Sequence, residues 1–158
     1  MSALSKRYPT SDAAALGGFK KILLNNQDWK NYEYGFLVLG WSHPIVRQLG
    51  HEAFEDTAIL YHYTMPYTDH EKTSISHTIL PQHTKLVVAF CHTHPTPGSF
   101  STKDFRNFKK LRDLKAEGTL AHDVSYYLME SNRQVRRSDG ERNFREGVIV
   151  EGLDDATP

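Results

Sequence analysis

A single α/β (α+β) domain, a mixed β-sheet flanked by helices, is the fold class this sequence predicts. Three observations lead there. The apolar run Leu86-Val87-Val88-Ala89-Phe90-Cys91 reads as a strand covered on both faces. Two segments, one near the start and one after Ser101, carry apolar residues at helical spacing. The order of elements is helix, three strands, helix and hairpin, which suits a sheet with helices packed on it. With 158 residues, 39% apolar and 24% charged, the chain matches one ordinary globular domain.

The first helix is expected to start at Ser11 as its cap. Ala14, Leu16, Phe19, Ile22 and Leu23 share one face, and Asn25-Asn26 ends it. Gly17-Gly18 weakens this helix without abolishing it. Tyr32–Leu39, aromatic and branched, reads as the first strand, and Thr57–Thr64 as the second after a polar connection. Met65–Gln82, rich in Thr, Ser, His, Asp and Pro, reads as a long loop and a candidate substrate-facing flap. The strand ending at Cys91 runs into His92-Thr93-His94-Pro95. A helix follows from about Ser101 to Gly118, with Phe105, Phe108, Leu111 and Leu114 inward. Val124–Met129 and Gln134–Arg137 form a hairpin turning at Ser131-Asn132. Residues 11–150 form the domain, with a flexible N-terminus at 1–10 and a flexible tail at 151–158.

Composition narrows the function. Acidic and basic residues balance at 19 each, so no strong field draws in nucleic acid or an anionic membrane. One cysteine, Cys91, excludes an internal disulfide and a multi-cysteine zinc site. It also excludes the two-cysteine zinc nucleoside deaminases. MSALSKRYPTSD has no apolar signal core, and no stretch approaches about 18 apolar residues. The expected place of synthesis is the cytoplasm, with export by a route that needs no signal peptide left open.

The stretch that carries chemistry is His92-x-His94-Pro95-x5-Ser101-x-x-Asp104. Residues two apart on a strand point the same way, with Cα atoms roughly 6.5–7 Å apart, so two imidazoles can converge on one ion. Pro95 ends the strand and turns the chain. Asp104 falls in the first turn of the next helix, where the dipole favours a carboxylate. Two histidines and one carboxylate leave a fourth tetrahedral position for water, the pattern of a catalytic zinc site. With nine histidines an H-x-H pair alone means little, and the added Pro, Ser and Asp at fixed offsets carry the specificity.

This segment is similar to the JAMM signature of MPN-domain metalloproteases, which reads H-x-H-P, a short loop, then S-x-x-D. That family also has a glutamate far upstream, near the start of a strand and followed within two residues by glycine. Glu33-Tyr34-Gly35 resembles that element. The resemblance covers roughly Ser11 to Met129. One departure is the five-residue loop between Pro95 and Ser101, one residue shorter than usual. DAAAL, EYG and HTHP with FS-x-x-D look closest to an uncharacterised bacterial branch, whose modules occur in polymorphic toxins and secreted effectors.

The resemblance implies an MPN/JAMM-like, cytidine-deaminase-like fold with Zn2+ held by His92, His94 and Asp104. The zinc would lower the pKa of its bound water. Glu33 would act as general base and then acid, and Ser101 would donate a hydrogen bond to the oxyanion. The reaction would be hydrolysis of a peptide or isopeptide bond in a protein or peptide-like substrate. An immunity or carrier protein is a further candidate partner. Two alternatives stay open: a catalytically silent binding or assembly module, and an effector hydrolase acting on a non-protein target.

Plainer readings exist for the same residues. Ser101-Thr102-Lys103-Asp104 also fits a helix-capping box. A lone strand glutamate such as Glu33 is more often on a solvated face. Cys91 reads as a small core residue whose side chain points away from His92 and His94. His43, His51, His62, His70, His77, His83 and His122 read as surface or loop residues. His51-Glu52-Ala53-Phe54-Glu55 imitates the zincin helix but lacks its second histidine. The H-x-T pairs at His62 and His94 fit a two-histidine phosphoesterase poorly, because Pro95 does not suit a strand interior.

Overall fold

A computed structural model describes residues 4–76 and 79–150. The expectations for residues 1–3, for His77 and for the tail at 151–158 lie outside the described residues.

Helix α1 (Ser11–Asn25) is capped by Thr10, whose hydroxyl oxygen accepts the Ala13 N–H at 3.0 Å. The expected cap, Ser11, is instead the first helical residue. Both residues can cap, and the extended backbone at Thr10 decides between them. Gly17 and Gly18 are required by packing. A Cβ on Gly18 would lie 2.4 Å from the Phe36 ring, and one on Gly17 would lie 2.3 Å from the Tyr8 hydroxyl. The helix gives up propensity at these two positions so that two aromatic rings can meet its backbone.

Strand β1 (Tyr34–Leu49) is far longer than expected and turns directly into β2 (Glu52–Tyr63). Gly50-His51 forms the two-residue connection, with Gly50 at φ +65°. The polar, Pro44-containing stretch after Leu39 was expected to be a connection. It is one half of a hairpin arm, with Pro44 opposite Thr57. Among the described residues only β2 pairs with β1 beyond Gly40, whose N–H still reaches the Leu86 carbonyl, so each strand of the arm is an edge, where proline is tolerated. The zincin-like HEAFE sequence is thus a turn and the start of β2, not a helix.

Short β3 (Tyr67–Thr68) lies within the expected long loop and pairs with the start of β1. Next come β4 (Val87–Thr93), α2 (Thr102–Ala116), β5 (Ser125–Met129) and β6 (Val135–Ser138). The last strand, β7 (Val148–Val150), was not foreseen. Among the described residues these make one seven-stranded open sheet in the order β2-β1-β4-β5-β6-β7, with β3 beside β1. β4 and β5 are parallel, joined through α2, and the other pairs are antiparallel. The fold is therefore α+β with a mixed sheet, as the sequence predicts.

Helices cover the two faces separately. Ala14, Phe19 and Ile22 of α1 pack with Phe36, Val38, Ala89, Cys91 and Tyr127. Phe108 and Leu111 of α2 pack with Leu37, Phe90, Tyr126 and Leu128. Adjacent residues of β1 and β4 thus face opposite layers. Cys91 is fully buried on the α1 side, as expected of a core residue. Ahead of α1, within the stretch expected to be flexible, Ser5 and Tyr8 hydrogen-bond through their backbones to the edge of β2.

Candidate metal centre

The α2 face of the sheet brings the candidate residues together. Gly35 of β1 lies opposite His92 of β4, and the buried Thr93 Oγ1 accepts the Tyr34 N–H at 3.0 Å. This register puts Glu33, one residue before β1, beside the end of β4. The Glu33 backbone is fixed from the flap side: its N–H donates to the Glu71 carbonyl at 2.9 Å, and its carbonyl accepts from the Thr68 hydroxyl at 2.7 Å. The side chain is buried at 5% exposure, not on a solvated strand face.

His92 and His94 point the same way, as their spacing requires, with ring centroids 4.9 Å apart. His92 sits among the α2-side aromatics, 6.1 Å from the Tyr126 ring and 6.3 Å from the Phe100 ring. The His94 N–H donates to the Met129 carbonyl, which carries the β4–β5 pairing one residue past the end of β4. One ligand atom from each of Glu33, His92 and His94 lies within 4.8 Å of the other two, so this group could hold a metal ion.

Asp104 adds a second carboxylate. Its Oδ1 is 3.2 Å from His92 Nε2 and its Oδ2 is 3.4 Å from His94 Nε2. Two ligand atoms sharing a tetrahedral ion at 2.0–2.1 Å lie roughly 3.3 Å apart. Each contact is made by a different oxygen, at a separation that suits a direct hydrogen bond as well as shared ligation. The capping reading is also correct. Asp104 Oδ2 accepts the Ser101 N–H at 2.8 Å, and Ser101 Oγ accepts the Asp104 N–H at 3.1 Å. Ser101 uses its oxygen there, which leaves its hydroxyl hydrogen to donate elsewhere.

Electrostatics bind the group together. Burial raises the pKa of the Glu33 carboxyl, and the positive potential of His92, His94 and Lys103 offsets that only in part. Burial also opposes ionisation of Asp104. The neighbouring imidazoles and the Ser101 N–H outweigh it and hold this carboxyl far below the usual range. For His92, burial disfavours the cation, but Asp104 and Glu33 win and raise its pKa. Two carboxylates and two imidazoles thus shift one another's ionisation within a single buried group.

The chain matches no protein-family model, no curated protein and no solved structure. The functional reading therefore rests on this geometry.

The remaining histidines need one correction. His43 and His62, expected at the surface or in loops, are buried strand residues at 6% and 7% exposure, and His83, which does lie in a connection, is buried at 8%. His62 donates from Nδ1 to the Ser5 carbonyl at 2.9 Å, and its Nε2 lies 3.3 Å from His43 Nε2, with Trp41 stacked against it. This pair helps hold the segment before α1 against β2. It forms between distant strand positions, so no local pattern announced it. His62 and His94 belong to separate clusters, against the phosphoesterase alternative.

Proposed function

We propose that this chain is a zinc-dependent hydrolase of JAMM type that cleaves a peptide or isopeptide bond. The carrying observation is the buried group of Glu33, His92 and His94, with the Asp104 carboxylate lying against both imidazoles. The donor set suits zinc, being imidazole nitrogen and carboxylate oxygen. Cys91 lies on the other face and contributes no sulfur. His92, His94 and Asp104 would hold the ion. Bound there, zinc supplies Lewis acidity, which makes a water acidic near neutral pH and polarises a carbonyl.

The chain's own groups supply the rest. Glu33, with its raised pKa, accepts the proton of the attacking water and delivers it to the leaving amine. Ser101 donates its hydroxyl hydrogen to the developing oxyanion. Burial of the four charged or chargeable groups excludes bulk water from the proton transfers. Glu33 rather than Asp104 is assigned as base because both Asp104 oxygens are already engaged, by the two imidazoles and the Ser101 N–H.

Elemental analysis of purified protein is expected to give close to one zinc per chain, lost in His94→Ala. Glu33→Gln should keep the zinc and lose amide hydrolysis. Folded wild-type protein that takes up no zinc would leave a binding or assembly module as the better reading.

A further inference from the structure

A cavity of about 320 Å³ adjoins the metal centre. It shares Phe90 with β4, two residues before His92, and Tyr126, whose ring lies 6.1 Å from that of His92. One wall is the flap at Ser74, Ile75 and Ser76. The other is α2, through Lys103, Asn107 and Lys110. These three helical positions are spaced i, i+4 and i+7, so they form one stripe along the cavity. Lys103 immediately precedes Asp104, which fixes one end of the stripe at the metal centre.

The chemistry of the lining is one-sided. It holds two ammonium groups, three hydroxyls (Ser74, Ser76 and Tyr126) and one amide, and no carboxylate. Among the described residues neither lysine makes a close ion pair with an acid, although Lys103 also acts through space on the Glu33 carboxyl. The nearby acids are already engaged: Asp104 with the two imidazoles, and Asp69 with the Ser76 N–H at 2.7 Å. Phe90, Leu111 and Ile75 supply an apolar floor. A short aliphatic stem ending in an anion fits such a lining, and a cationic side chain does not.

We propose that this cavity is a specificity subsite for a carboxylate on the substrate, placed next to the scissile bond and held by Lys103, Asn107 and Lys110. The proposal rests on the hydrolase reading for the word substrate, but the selectivity of the cavity can be measured without zinc or turnover. Lysine is suited to the role because its ammonium group reaches across a cavity on a flexible stem.

The test is a two-dimensional amide NMR titration of dialysed, metal-free wild-type protein. The probes are N-acetyl-L-glutamic acid α-N-methylamide, whose one carboxylate is on the side chain, and its neutral isostere N-acetyl-L-glutamine N-methylamide. The expected result is saturable shifts at Ser74, Lys103, Asn107 and Lys110 with the acid, and binding roughly tenfold weaker with the amide. Lys103→Gln/Lys110→Gln should lose that preference while keeping a folded spectrum. Equal binding of the two probes, no saturable shift, or a preference that survives in the double variant would overturn the proposal. Zinc content reads the hydrolase separately. An acid-selective cavity in a chain that takes up no zinc supports a carboxylate-binding site and overturns its role beside a scissile bond.

Discussion

Asp104 has two jobs, and paired substitutions separate them. It closes the capping box of α2 with Ser101 and lies against both imidazoles. Ser101→Ala removes the acceptor of the Asp104 N–H, which costs about 1 kcal/mol. Asp104→Ala removes the acceptor of the Ser101 N–H and a negative charge at the helix N-terminus, about 1 kcal/mol plus roughly 0.3–1 kcal/mol. In a chain of this size each kcal/mol shifts Tm by about 2–4 °C. At pH 8, with chelator present, both variants should melt a few degrees below wild type. Zinc affinity should split them. Ser101→Ala leaves it nearly unchanged. Loss of even an outer hydrogen-bond partner of a ligand costs 10–100-fold, so loss of Asp104 as a ligand should cost at least about 100-fold. Asp104→Asn keeps a capping oxygen, and should recover most of the melting temperature without recovering zinc. Calorimetric zinc titration and thermal denaturation read the two effects independently. An Asp104→Ala variant that binds zinc as wild type does would reduce Asp104 to a helix cap and refute the ligand set.

Three further outcomes follow from the same structure. Glu33→Gln should stabilise the metal-free protein above about pH 5, because the folded-state pKa of this carboxyl is raised and its ionised form is carried at a cost; a lower melting temperature at pH 7 would contradict this. The zinc-induced rise in melting temperature should grow from pH 6 to pH 8. His92 has a raised folded pKa, so its contribution to the metal-free state is complete below about pH 6.5 and is lost as pH rises through that pKa, while ligation needs neutral imidazoles. Calorimetry at pH 6, 7 and 8 with and without zinc checks it, and a flat or falling gain would refute it. Gly18→Ala should lower the melting temperature despite its better helix propensity, because a gain of about 1 kcal/mol meets an overpacking cost of roughly 1–3 kcal/mol at the Phe36 ring. A rise would show that Phe36 moves aside freely.

Much of the candidate site could be read locally. The offset between His92 and His94 is a property of any strand, and the offset between Ser101 and Asp104 is a property of any helix start. Both features therefore needed only one element each with the residue that flanks it, His94 after β4 and Ser101 before α2. Glu33 stood differently. Its burial comes from the β1–β4 register and from Glu71 and Thr68 of the flap, which clamp its backbone. The glycine two residues later gave only a positional hint. The arm from Trp41 to Leu60 was missed because Pro44 and its polar neighbours suit an exposed two-stranded hairpin as well as they suit a loop.

Taken alone, the amino-acid sequence determined the layered class of the fold, the covered strand β4, both long helices and the pair of imidazoles facing one way. These follow from periodicities of two and 3.6 residues, which act over a few bonds. The tertiary structure decided that Asp104 reaches both histidines, that Glu33 is buried beside them, and that His43, His62 and His83 lie inside. It also decided that Gly17 and Gly18 admit Tyr8 and Phe36. Each of these depends on contact between segments far apart in the chain, where close packing sets the outcome and local spacing carries no information.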